Sequence, residues 1–139
     1  MIVDKEIRKA GGFAESKLEH AALTEQIIGA AIEVHRQLGP GFLESIYENA
    51  LVYELGKRSF PTERQLEIPV FYDQGVQVGF HRLDLFVART IVVELKTISD
   101  FEPIHFSVVR SYLRAVRCKH GLLLNFAAPV RGIKRVILE

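Results

Sequence analysis

The side chains best able to do chemistry sit at the end of an apolar run. In Ile91-Val92-Val93-Glu94-Leu95-Lys96, β-branched residues lead into a carboxylate and an ammonium two positions apart. Val and Ile at this density predict a strand buried on both faces. Side chains alternate faces along a strand, so Glu94 and Lys96 point the same way. Charged groups at the end of a buried strand are costly unless something compensates them. A second acid, Asp84, lies ten residues upstream of Glu94, within Arg82-Leu83-Asp84-Leu85-Phe86-Val87.

The two acids meet if the strands flanking Arg89 form an antiparallel hairpin. With a three-residue turn, Ala88-Arg89-Thr90, Asp84 and Glu94 each lie five residues from Arg89 and oppose one another. Directly opposed side chains share a face, with Cβ atoms ~4.5–5.5 Å apart. Two carboxylates that close repel, and one pKa rises unless a cation lies between them. A divalent ion resolves the conflict, and oxygen-only ligands favour Mg²⁺ first and Mn²⁺ second. Lys96 would then hold and polarise an attacking water, or stabilise charge developing on a phosphate. Bound metal lowers the pKa of water and acts as a Lewis acid. This set describes phosphodiester hydrolysis better than acyl transfer, for which no Ser or Cys motif is evident. A two- or four-residue turn would take Asp84 out of opposition. A bare E-x-K also fits a solvated strand-end pair worth ~0–1 kcal/mol; the added Asp84, apolar strands and intervening turn favour a site.

These residues need a scaffold, and periodicity supplies one. Residues 1–22 read as a peripheral segment, interrupted by Gly11-Gly12, and residues 23–139 as a single domain. The spacing predicts a helix from near Leu23 with Thr24 as N-cap, carrying Ile27, Ile28, Ala31, Val34 and Leu38. Gly39-Pro40-Gly41 ends it. A second helix is expected from about Phe42 to Lys57, with Leu43, Ile46, Tyr47, Ala50, Leu51 and Leu55 apolar. Leu66, Ile68, Val70 and Tyr72 alternate as in a strand, and Pro69 marks it as an edge strand or one with a bulge. Asp73-Gln74-Gly75 is a turn. Long strand Val76–Val87 and strand Ile91–Lys96 follow, then a helix from about Pro103 to Arg117 with Pro at its start. Strands at Gly121–Phe126 and Ile133–Leu138 complete an α-α-β-β-β-α-β-β order.

Composition narrows the class. At 139 residues, with 48% apolar and 25% charged residues, the chain is ordinary for one globular domain. A net charge of +1 gives no global basic field, so nucleic acid would need a local patch. The single Cys118 excludes an internal disulfide and a Cys-based metal site, and fits a reducing compartment. No apolar run approaches the ~18 residues of a membrane span. The charged Met1–Lys9 segment has no secretory core. A cytoplasmic location and no membrane partner are the expectation.

On the helix from Pro103, Ile104, Val108, Val109, Tyr112, Leu113, Ala115 and Val116 fill an apolar arc, and Arg110, Arg114 and Arg117 fall on the opposite flank. Such a row can neutralise phosphates, and equally serves as a solvated face whose cations suit the helix C-terminus. No pair among His20, His35, His81, His105 and His120 has zinc spacing. His81 falls on the opposite face from Asp84 in an ideal strand. His35 reads as packing or capping near Gly39, and His105 as lining a groove or a core wall. Cys118 reads as an inert small hydrophobe.

Asp84 with Glu94-Leu95-Lys96 resembles the PD-(D/E)xK nuclease superfamily, whose restriction-endonuclease-like fold is a mixed β-sheet flanked by helices. Gly41-Phe42-Leu43-Glu44-Ser45-Ile46-Tyr47 is similar to the G-x-x-E-x-x-Y signature of its small GxxExxY family. Val34–Gly41 and Leu123-Leu124-Asn125-Phe126 extend the likeness, which spans about Leu23 to Leu138. The resemblance implies an α/β fold and a Mg²⁺- or Mn²⁺-dependent nuclease acting on DNA or RNA. It implies metal ligands Asp84, Glu94 and Glu44, with Lys96 catalytic and Tyr112 near the substrate. Taken alone, Glu44 reads as a first-turn acid complementing the helix dipole, and Tyr47 as a packed residue with its hydroxyl satisfied. Many relatives carry Gln four residues before the Tyr112 position; here it is Val108. That departure motivates a rival, a weakened or inactive nuclease-fold module that binds nucleic acid or a protein partner. A second rival is a protein-interaction subunit whose edge strand at residues 65–72 pairs across a homodimer.

Overall fold

The computed structural model describes residues 13–128 and 132–139. Gly11, Gly12 and Arg131, and most of the expected peripheral segment, lie outside them. The elements are α1 (Phe13–Leu38), α2 (Glu44–Lys57), β1 (Thr62–Tyr72), β2 (Val76–Val87), β3 (Ile91–Lys96), α3 (Pro103–Val116), β4 (His120–Asn125) and β5 (Ile133–Ile137). The order is the expected one. The first helix differs at its start: it already runs at Phe13, and Thr24 is a buried mid-helix residue rather than a cap. Good helix formers such as Ala21 and Ala22 carry the helix through where charge suggested periphery.

The five strands form one sheet in sequence order, β1-β2-β3-β4-β5. Three neighbouring pairs are antiparallel, and β3 with β4 is parallel. The crossover that a parallel pair requires is α3. Each sheet face has its own core. On one, Leu23, Ile27, Ala30 and Val34 of α1 and Tyr47, Leu51 and Leu55 of α2 cover Leu85, Ile91, Val93, Leu95, Leu122 and Leu124. On the other, Val109 and Leu113 of α3 cover Leu83, Phe86, Val92, Leu123 and Val136. A central strand covered on both sides explains the unbroken apolar run of β3. Gly121 lets α3 come close: a Cβ there would lie 2.8 Å from Val109 Cγ1 and 3.3 Å from the Val92 carbonyl oxygen.

Two helix faces are narrower than their periodicity. Leu43, Ile46 and Ile104, each at a helix N-terminus, are exposed. Helix α3 stops at Val116, and Arg117 turns back in the left-handed conformation at φ 59°. The expected row of three arginines is therefore not carried by one helix. Strand β1 is an edge strand with both features that Pro69 suggested, including a bulge between Val70 and Phe71.

Candidate metal and nuclease site

The site is built where β2 and β3 part. Leu85 pairs with Val93, Phe86 with Val92 and Val87 with Ile91, which makes Ala88-Arg89-Thr90 a three-residue turn. Ala88 and Arg89 take left-handed angles there, and Thr90 Oγ1 donates to the Ala88 carbonyl at 2.8 Å. The same register continued one step sets Asp84 opposite Glu94. Backbone pairing ends before that step. The Asp84 carboxylate replaces a main-chain carbonyl, its Oδ2 accepting the Leu95 N–H at 2.9 Å.

Val92 belongs to the core beneath α3, so alternation puts Glu94 and Lys96 on that face. Glu94 is only 6% exposed. Its Oε2 lies 3.5 Å from Lys96 Nζ, and its Oε1 is buried with no hydrogen-bond partner. Burial, then the neighbouring Asp84 charge, push its carboxyl from 4.5 up to about 8, against the pull of Lys96. This is the conflict expected of opposed carboxylates. The Tyr112 phenol on α3 feels the same charges: burial first, then Glu94 and Asp84, raise it to about 12. Tyr112 therefore stays protonated and available as a donor at neutral pH.

Around this pair the structure adds residues that sequence reasoning passed over. His81 is not turned away. Gln65 adopts φ 48° within β1, and the ladder skips it between Arg64↔Leu85 and Leu66↔Leu83. The irregularity places Leu83 and Leu85 in opposite cores, so His81 lies over α3. Its Nε2 is 2.7 Å from Ser111 Oγ and its ring stands edge-on to Tyr112 at 4.7 Å between centroids. Burial lowers its pKa. Glu48, one turn after Glu44, is buried and held by Arg64 Nε and Nη2 at 3.2 and 3.0 Å. It stands in one stripe with Leu51 and Leu55, a visible signal of an acid on the covered face. Asn125 clamps the chain leaving β3, with Nδ2 donating to Ile98 O at 2.7 Å and Oδ1 accepting from Ile98 N at 3.0 Å. No local pattern announces that role.

Glu44 is exposed, and its carboxylate accepts from Thr97 Oγ1 at 3.5 Å, one residue beyond Lys96. Among the described residues no three acids, histidines or cysteines converge closely enough to hold a metal ion. The structure thus assembles the Asp84–Glu94 pair, not the three-carboxylate set with Glu44. Tyr47 explains how Glu44 is placed: fully buried, it stacks on Phe126 at 4.5 Å and donates to Gly39 O at 2.6 Å. That bond braces the turn in which Gly39 and Gly41 take positive φ, and α2 starts from it. Arg114 and Arg117 are exposed, while Arg110 is half-buried and donates to Ser107 Oγ at 3.4 Å. His105 caps α3, its Nδ1 accepting from the Glu102 N–H. Val108 is half-buried on the same helix, and Cys118 is half-buried with its thiol pKa raised by burial. That character fits an unreactive small hydrophobe.

The sequence pattern of the PD-(D/E)XK nuclease superfamily matches residues 21–136, nearly all of the chain. The chain belongs to the PD-(D/E)XK nuclease superfamily. None of the curated proteins and none of the solved structures compared with it matches. The five-stranded mixed sheet flanked by helices is the superfamily's restriction-endonuclease-like α/β fold. The donor set also fits a superfamily metal: an unpartnered buried carboxylate oxygen beside a second carboxylate is a hard, anionic, oxygen-only environment.

Proposed function

We propose that this chain is a divalent-metal-dependent nuclease that hydrolyses phosphodiester bonds in DNA or RNA. The observation that supports it most is the Glu94 carboxyl, which has Oε1 buried without a partner and a pKa raised by burial and by the nearby charge of Asp84. A buried group in that state is destabilising unless a cation or a proton completes it. Asp84 and Glu94 would hold Mg²⁺ or Mn²⁺. When bound, the ion neutralises the pair and supplies Lewis acidity to a phosphoryl oxygen. Lys96, half-exposed at the end of β3, donates to the attacking water and steadies negative charge on the phosphate. Tyr112 offers a neutral donor from α3. Arg114 and Arg117 present exposed cations for the phosphate backbone, with Arg110 beside them. Glu44 supports the segment after Lys96 through Thr97. In the finer GxxExxY reading, Gly41, Glu44 and Tyr47 act as one unit: the glycine turns the chain, the tyrosine pins the turn, and the acid is presented.

The test is cleavage of supercoiled plasmid, single-stranded DNA and structured RNA with Mg²⁺ or Mn²⁺. Wild-type protein should cut at least one class, and Lys96→Ala should lose about 10²–10³-fold in rate, the scale of one transition-state donor. Cleavage that survives the substitution would assign the activity to another site.

A second reading, contact with another copy of the chain, is favoured by the β1–β2 hairpin. Tyr72, Val76, Val78 and Phe80 are between 55 and 70% exposed. Metal binding by calorimetry without cleavage of any substrate would favour a binding role over turnover.

A further inference from the structure

We infer that Gln65 is the residue that positions Asp84, acting as an amide bridge from the buried acid Glu48. The inference rests on the nuclease reading for its functional meaning and on geometry for its content. Gln65 is a strand residue at φ 48°, a region that L-residues other than Asn and Asp occupy rarely. Such outliers persist where the surroundings over-determine them. Here the surroundings are Glu48 and Asp84, which Gln65 contacts, and Arg64, which holds Glu48. Arg64 donates to Glu48 Oε2 through both Nε and Nη2, and its Nη2 also reaches Asn49 Oδ1. That leaves Glu48 Oε1 for Gln65 Nε2, at 2.7 Å. The same Nε2 lies 3.4 Å from Asp84 Oδ1. A primary amide nitrogen carries two protons, one for each carboxylate.

The consequence falls on Asp84. Its Oδ2 accepts the Leu95 N–H, and its Oδ1 accepts from Gln65. One donor on each oxygen fixes the plane of the carboxylate and leaves a lone pair on each for a further partner. The backbone turn at Gln65 is what swings its amide to this position, because the residue opposes Asp84 in a ladder that skips them both. Alternation in a regular strand would give Gln65 no reason to reach both acids. The contacts running from α2 through β1 to β2 thus end in the orientation of the carboxylate proposed to hold the metal.

The test separates this role from backbone strain. Gly is at ease at positive φ, so Gln65→Gly removes the amide while suiting the local conformation. Its melting temperature should stay at the wild-type value or rise. The Leu95 amide proton, read by hydrogen–deuterium exchange, should exchange roughly tenfold faster, the scale of one weakened hydrogen bond to a charged group. Gln65→Asn, which also tolerates positive φ but is one methylene too short to reach both carboxylates, should show the same acceleration. Mn²⁺ affinity by calorimetry and kcat should fall with unchanged KM in both variants. Unchanged Leu95 exchange in both variants overturns the inference. So does faster exchange with wild-type Mn²⁺ affinity. If the wild-type protein cleaves nothing but Leu95 exchange and Mn²⁺ affinity respond as stated, the nuclease reading fails and the positioning role stands.

Discussion

Glu94 carries the most consequence per atom. Its pKa of about 8, against an ordinary 4.5, means that the native state keeps a proton the unfolded chain loses between those values. Stability must therefore fall as pH rises from about 4.5 to about 8. Glu94→Gln removes that slope, so the stability of the apo variant relative to wild type should rise by about 1–4 kcal/mol between pH 5 and pH 8. Urea denaturation at pH 5 and pH 8 measures it. Mn²⁺ at pH 8 should recover stability in wild type but not in the variant. Parallel pH profiles for the two proteins would contradict the assignment. At this scale the sequence was informative: a three-residue turn was the condition for opposing Asp84 to Glu94, and the structure has that turn length. The environment of Glu94 was not readable, because burial is set by residues distant in sequence.

At the scale of elements, α3 decides how Tyr112 approaches the carboxylates, and its seat is Gly121. An added Cβ would strike Val109 Cγ1 on one side and the Val92 carbonyl on the other. Gly121→Ala should destabilise the fold by about 1–3 kcal/mol, as overpacking does. It should also lower activity more than any change in folded fraction, because the same helix carries Tyr112. Thermal melting together with a rate measured well below the melting temperature separates the two effects. The elements themselves were largely legible. Strands β2 and β3 have the limits their pattern predicts, since period-2 alternation and turn residues are local signals. The start of α1 was not, because helix formers of high charge can continue a helix that charge alone suggests is outside the fold. His81 was misplaced for a different reason: one residue at positive φ reversed the faces of the strand pairing. No periodicity registers that reversal.

The whole molecule combines near-neutral charge with an apolar outgrowth. The net charge is +1, so the proposed nuclease would have to draw nucleic acid with placed cations such as the exposed Arg114 and Arg117. No helix among the described residues is long and apolar enough to cross a membrane. The hairpin presents Val76, Val78 and Phe80 on one face, with the Arg82–Glu67 pair at its base. Both charge signs on that face make it complementary to itself under a two-fold axis. Pairing through the β1 edge is a poor alternative, because Gln65, Pro69 and the bulge at Val70/Phe71 interrupt its hydrogen-bonding row. Light scattering across a concentration series should show a dimer, and Val78→Ser with Phe80→Ser should move its midpoint to higher concentration. A wild-type chain that stays monomeric throughout would remove the interface.

By itself the sequence determined the element order, two strands whose acids oppose if the turn between them is three residues long, and the lysine on the face of the second acid. These follow from signals within a few residues of one another: alternation, turn length and apolar runs. Only the tertiary structure decided that Glu94 is buried with an unpartnered oxygen, that Gln65 links Glu48 to Asp84, and that Glu44 bonds Thr97 instead of joining the pair. Those outcomes depend on which side chains meet across 17 to 53 residues of chain, where packing and desolvation act and no local spacing records the result.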